Sequence, residues 1–170
     1  FLDFWNLFFI QFHQDGDEYT PLKQTGIDTG MGLERVAAIL QGKDSIFEVD
    51  NFYPIVAKVA EIAKTSYKVD ERKDVSLRVI ADHLRAVTFL VGDGVLPSNE
   101  GRGYVLRRLI RRAIRHGRLL GITDPFANEV IAVVVEQMKA AYPDLLERRE
   151  YIFRVVSLEE ERFNATLEQG

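Results

Sequence analysis

Two regimes of apolar patterning divide the chain. The first twelve residues, FLDFWNLFFIQF, hold nine apolar side chains without a 3.6-residue period. Aromatic density of that kind predicts a strand buried on both faces. Asp15-Gly16-Asp17 is a turn signal, and EYTPLKQTGID returns as a second, more polar strand. After Gly30 the period becomes helical: Leu33, Val36, Ala37, Ile39 and Leu40 share a face, and Gly42 is the expected C-cap.

Every later segment reads as helix. Pro54 belongs in the first turn of a helix running to about Tyr67, with Asp50 or Asn51 as its cap. Lys68–Lys73 is an expected linker, and Asp74 an expected cap for a helix whose Leu77, Ile80, Ala81, Leu84, Val87 and Leu90 form one apolar face. Gly92-Asp93-Gly94 ends that helix, and VLPSNEGRG is a loop before a helix over 103–120. Asp124-Pro125 starts the next helix and Pro143 ends it. A last one runs from about Asp144 to Glu168, with a kink expected where Ser157…Glu160 spells a capping box. The fold class is therefore mainly α: a β-hairpin, a strand-to-helix turn, then a five-helix bundle.

Composition narrows the class. At 46% apolar and 28% charged over 170 residues, the chain is an ordinary globular protein, not a disordered or fibrous one. No apolar run reaches a membrane-spanning length, so no membrane partner is expected. The absence of Cys excludes disulfides and thiolate metal sites, and suits a cytoplasmic location. Residue 1 is Phe and opens an apolar run with no basic leader, which predicts a piece of a longer chain rather than a signal peptide.

Charge is unevenly spread. The net charge of -4 conceals residues 101–118, GRGYVLRRLIRRAIRHGR, which carry seven of the 22 Lys and Arg and no acid. The other residues hold 15 basic against 26 acidic side chains. On a helical wheel Leu109, Ile110, Ala113, Gly117 and Leu120 fall within about 60° of Leu106. Arg107, Arg108, Arg111, Arg112, Arg115 and Arg118 occupy the opposite arc. Such a stripe is either a phosphate-tracking surface or a face that is solvated or ion-paired to the acidic remainder.

Chemistry also concentrates at Asp28-Thr29-Gly30-Met31-Gly32-Leu33-Glu34-Arg35. Glycines at a strand-to-helix junction admit a ligand close to the backbone, and an Arg in the first helical turn suits a phosphate. An ordinary tight turn with a surface Arg is the plain alternative. Asp28, at a strand end, suits an ammonium group. Asn6, polar in an apolar run, is either satisfied by backbone or aimed into a pocket. His13, His83 and His116 form no HxxxH or CxxxH pair, so no metal site is expected; His83 beside Asp82 reads as a helix–helix polar contact, and Arg78, Asp82 and Arg85 as an ion-pair cluster.

WNLFFIQF, DTGMGLERVAAIL and LRVIADHLRAVTFLVGDGVLPSNEGRGYVLRRLIRRAIRHG together resemble the alanyl-tRNA synthetases, a class II family, collinearly over nearly the whole chain. DTGMGLER resembles that family's motif 3. The resemblance implies that residues 1–42 are the C-terminal edge of an aminoacylation domain, a hairpin remnant of the class II antiparallel sheet, and that 43–170 are a helical tRNA-recognition domain. It implies ATP-dependent activation of alanine and transfer to tRNA(Ala), with Mg²⁺ as the ion of ATP, no zinc site, and the remainder of the parent synthetase, including motifs 1 and 2, as partner.

Residue by residue, the resemblance implies the following roles. Asp28 would bind the amino group of alanine and Asn6 its carboxylate side, with Gly30 and Gly32 flanking the adenylate. Phe8 stands where the family usually has a smaller apolar residue against the alanine methyl. Arg35 would be the motif 3 arginine on the ATP γ-phosphate; it and Asp28 are the catalytic candidates. Asn99 matches the asparagine that reads the G·U wobble pair of the acceptor stem. Arg111 resembles the arginine that contacts the stem, with Arg102, Arg107, Arg108 and Arg115 beside it. The fragment alone is expected to be inactive. A non-catalytic helical RNA-binding module is the alternative reading, and a helical DNA-binding protein a weaker one.

Overall fold

The computed structural model describes residues 1–169 and separates into two compact units, Phe1–Val49 and the residues from Asp50 onward. In the first, β1 (Trp5–Asp15) pairs antiparallel with β2 (Glu18–Met31). Asp15 pairs with Glu18, so Gly16 and Asp17 are the whole loop, and Gly16 at φ +60° supplies the left-handed residue this tight turn requires. The register is Asn6 to Gly30 and Phe8 to Asp28; it slips between Ile10 and Phe12, where Pro21, which has no N–H to give the ladder, faces Phe12.

α1 (Leu33–Leu40) follows directly from Gly32. Its end is a Schellman turn: Lys43 N–H bonds to the Ala38 carbonyl and Gly42 sits at φ +63°. One 3₁₀ turn, Ile46–Glu48, completes this unit.

The expectation that the first strand is buried on both faces is not met. All eleven residues of β1 are exposed, Phe9 by 72%. A ribbon of two strands is one layer and has no second layer to cover either face.

The second unit is all helix: α2 (Tyr53–Ile62), α3 (Glu71–Gly92), α4 (Gly101–Leu119), α5 (Ala127–Met138), α6 (Pro143–Glu147) and α7 (Arg149–Gln169). α3 is central, and the other five all pack on it. Its Leu77, Ile80, Ala81, Leu84 and Val87 are fully buried, while Leu90 is half-buried. Against them lie Ile55, Val56 and Val59 of α2, Leu106 and Ile110 of α4, and Val130, Ile131 and Val134 of α5. Full burial of each such aliphatic side chain contributes about 1.5–3 kcal/mol.

Several helix ends depart from expectation. α2 stops at Ile62, not near Tyr67, because Lys64 takes φ +53° and Thr65 N–H closes on the Ala60 carbonyl. Its N-cap is Phe52, not Asp50 or Asn51. Asp70 caps α3 by accepting from Arg72 N–H, so the expected linker is partly helix; Asp74 lies in the first turn and accepts from Lys68 N–H. α5 begins at Ala127, after Asp124-Pro125, and ends at Met138. The last helix runs through Ser157…Glu160 without interruption; the break falls at Arg148, between α6 and α7, and gives the bundle six helices among the described residues.

Candidate functional site

In the hairpin unit the register gathers the sequence-derived residues. Asn6 faces Gly30 and Phe8 faces Asp28, and alternate residues of a strand share a face, so these four lie together on one face of the ribbon. The opposite face is tied differently: the Trp5 indole N–H donates to Thr29 Oγ1, whose hydroxyl donates to the Asn6 carbonyl at 3.1 Å. Asp28 Oδ1 accepts from Thr29 N–H at 2.9 Å. Arg35, exposed at the start of α1, donates to the Asp3 carbonyl, and Gly32 N–H donates to the Phe4 carbonyl at 3.0 Å. Gly32 keeps that corner open, since a Cβ there would lie 3.2 Å from Arg35 Cδ. The arrangement offers one carboxylate, one amide and one guanidinium around a glycine-lined strand end.

The helical unit presents the arginines. Leu106, Ile110, Ala113, Ile114 and Gly117 are the buried side of α4. Its other side lines a groove of about 760 Å³ with Asn99, Arg107, Arg108, Arg111, Arg115 and Phe163 among its walls. The stripe is not uniformly solvated. Glu159 of α7, 2% exposed, accepts at Oε1 from Arg107 Nε at 3.1 Å and from Arg111 Nε at 2.9 Å. A buried carboxylate is costly without such partners, and it relieves the repulsion between two arginines four residues apart. Arg111 also lies 5.3 Å over the Phe163 ring, and Arg118 donates to Asn164. Arg102, Arg108 and Arg115 are exposed and have no ion pair among the described residues.

Asn99 sits in the loop before α4, and its Oδ1 accepts from Arg107 NH1. The loop is tightly closed: Ser98 N–H bonds to the Gly103 carbonyl, and a Cβ at Gly103 would come within 2.4 Å of the Leu96 carbonyl oxygen.

His83 bridges α3 and α4. Its Nδ1 lies 2.9 Å from Asp82 Oδ2 and its Nε2 accepts from Arg112 NH1 at 3.0 Å, which fixes the tautomer with the proton on Nδ1. That hydrogen bond holds the Asp82 carboxyl below the usual carboxylate range against the opposing effect of burial, with the Arg85 and Arg112 charges adding to it. Arg78 donates to the Tyr67 hydroxyl, and Arg85 lies over the Phe52 ring while its charge also acts on Asp82. His116 bonds to Ser76 Oγ, and burial, then the Arg112 charge, push its pKa down.

With this geometry in view, the family described as tRNA synthetases class II (A) matches residues 1–170. The chain belongs to that family. Among its relatives, proteins named alanine–tRNA ligase from Natranaerobius thermophilus, Thermoanaerobacter sp. and Pelotomaculum thermopropionicum are 56%, 57% and 58% identical over the whole of this chain. The chain spans about a fifth (20%) of the length of these curated relatives. Membership fits a mainly α chain with an antiparallel hairpin at its N-terminal end. No described helix of this synthetase chain is long and apolar enough to cross a membrane.

Sequence reasoning left Glu159 unassigned and placed Glu160 in a capping box of the last helix, yet both are 2% exposed. Glu160 accepts from Phe126 N–H at 2.9 Å and from Ala127 N–H, and so caps α5, which has no side-chain cap of its own. Its partner in the supposed capping box, Ser157, instead accepts from Asn128 Nδ2 at 2.7 Å. Burial raises the Glu160 pKa, against the two backbone bonds. The available signal was that α5 starts at Ala127 behind Phe126, with no capping side chain of its own, so that an acceptor had to come from another element.

Proposed function

We propose that this chain is part of an ATP-dependent alanine–tRNA ligase, and that its helical unit contacts the acceptor stem of tRNA(Ala). The observation that carries the reading is identity of 56–58% along the full chain with three proteins of that name. Asp28 receives the alanine ammonium as a charge-assisted contact, Asn6 faces its carboxylate side, and Phe8 and Gly30 stand beside them on the same ribbon face. Gly32 leaves the adjoining corner open for the adenylate, and Arg35 takes the ATP γ-phosphate. Holding the carboxylate in line with the α-phosphate and neutralising charge supply the rate. Mg²⁺ enters with ATP, as the ion of that substrate.

On the helical unit, Arg102, Arg108 and Arg115 meet phosphates, Arg111 lies alongside them, and Asn99 meets the G·U pair in the shallow minor groove, where the guanine 2-amino group can donate to an amide oxygen. The test is alanine-dependent ATP–pyrophosphate exchange in the full-length enzyme. Asp28→Asn should raise the KM for alanine by the loss of about 1.5–3 kcal/mol. Arg35→Ala should instead impair use of ATP. Unchanged kinetics in both variants would overturn the reading of the hairpin face.

A further inference from the structure

We infer that Arg107 is a positioning residue that holds the Asn99 amide, with Glu159 as its anchor; this rests on the reading of Asn99 as a contact to the acceptor stem. The loop backbone around Asn99 is already fixed, by Ser98 N–H on the Gly103 carbonyl and Ser98 Oγ on the Glu100 carbonyl at 2.8 Å. What remains free is the side chain, and ordering an exposed amide on binding costs affinity. Arg107 removes that freedom. Its Nε donates to the buried Glu159 carboxylate while NH1 of the same planar group donates to Asn99 Oδ1. A guanidinium holds two acceptors at one fixed angle, so the buried acid sets the direction of the exposed amide. Asn99 Oδ1 keeps a second lone pair for a donor on the RNA.

The same geometry separates Arg107 from its exposed neighbours. It is half-buried and ion-paired to Glu159, which it shares with Arg111, so it contributes orientation where the exposed Arg108 and Arg115 contribute attraction. Lysine is the discriminating substitution, because it keeps the charge but replaces the rigid two-nitrogen fork with one rotatable ammonium that fixes no angle between the two acceptors.

The experiment uses the full-length enzyme and acceptor-stem hairpins carrying a G·U or a G·C pair. It reads the ratio of kcat/KM for the two stems and the salt dependence of stem binding. Arg107→Lys should shrink the ratio by about three- to tenfold, the range of one hydrogen bond, and keep the salt slope. The double variant Arg107→Lys with Asn99→Ala should lose no more than Asn99→Ala alone, because the two act as one unit. Glu159→Gln, which leaves Arg107 intact, should shrink the ratio by a smaller factor and serves if the lysine variant fails to fold. A ratio unchanged by Asn99→Ala would overturn the reading of Asn99 and this inference together. A ratio reduced by Asn99→Ala but untouched by Arg107→Lys and Glu159→Gln would overturn this inference alone. Equal weakening of both stems with a flatter salt slope would make Arg107 a phosphate contact and overturn it too.

Discussion

The hairpin and the helical bundle spend similar apolar residues to opposite effect. Phe8, Phe9 and Phe12 of β1 are more than half exposed, whereas Leu77, Leu84 and Ile110 of the bundle are fully buried. The side chains are comparably apolar; the number of layers differs. Five helices packed on α3 give its apolar face partners, while a two-stranded ribbon supplies none. The candidate residues inherit that contrast. Those of the hairpin are placed by backbone register, whereas Arg107 and Arg111 of α4 are placed by one buried acid, Glu159, reaching across from α7.

The comparison breaks most directly at the core. Leu84→Ala should cost about 2–5 kcal/mol, because it deletes a fully buried side chain at the centre of α3. Phe9→Ala removes a larger side chain that is 72% exposed, and should change stability by no more than about 0.5 kcal/mol. Denaturant unfolding of this chain, followed by its helical circular dichroism, measures both. A Phe9→Ala cost equal to that of Leu84→Ala would mean the ribbon buries its face and the contrast is false.

Periodicity made much of this legible. The turn signal around Gly16 gives the hairpin, and the two-residue loop gives its pairing as far as Phe12 opposite Pro21; the slip between Ile10 and Phe12 then moves the register by three residues, so the pairing of Asn6 with Gly30 and of Phe8 with Asp28 was not legible from the loop. The apolar side of α4 is the one the helical wheel marks, and Gly117 lies there because a Cβ would meet the Phe126 ring at 2.4 Å. What periodicity misses is whatever crosses between elements. Lys64 ends α2 in a conformation usually left to glycine, and nothing in its neighbourhood announces it. Ser157 and Glu160 have capping-box spacing yet serve α5, since a pattern of spacing does not say which helix the side chains face. Glu159 is invisible for the same reason: it meets Arg107 and Arg111 from about fifty residues away.

Removing the long-range cap is the next largest perturbation. Glu160→Ala leaves the buried Phe126 and Ala127 N–H groups without an acceptor, and should cost about 1–3 kcal/mol. Glu160→Gln keeps a carbonyl oxygen for them and removes a charge that burial disfavours, so its loss should be clearly smaller. Thermal unfolding of the two variants orders them. If glutamine destabilised as much as alanine, the charge rather than the cap would be what α5 needs.

The smallest effect is the pH dependence, where two groups of the bundle pull in opposite directions. His116 has a pKa below its usual 6.5 because it is desolvated and faces Arg112, His83 and Arg115. The unfolded chain therefore binds that proton first, and stability falls as pH drops from about 6.5 toward the lower folded value. Glu160 has a pKa above its usual value, with Glu161 nearby reinforcing burial. Here the folded chain holds the proton more tightly, so stability falls as pH rises from the ordinary carboxylate range up to the raised value and is flat beyond it. Between about pH 4.5 and 6.5 the two trends partly cancel. His116→Gln should remove the first, leaving a chain that loses less stability on acidification below pH 6.5 than the parent. Glu160→Gln should remove the second and leave a steeper loss over the same window. Melting temperatures measured from pH 4.5 to 8 for the parent and both variants decide it. Three superimposable profiles would mean that neither group feels the bundle interior, and that α4 and α7 are more open to water at these positions than their packing implies.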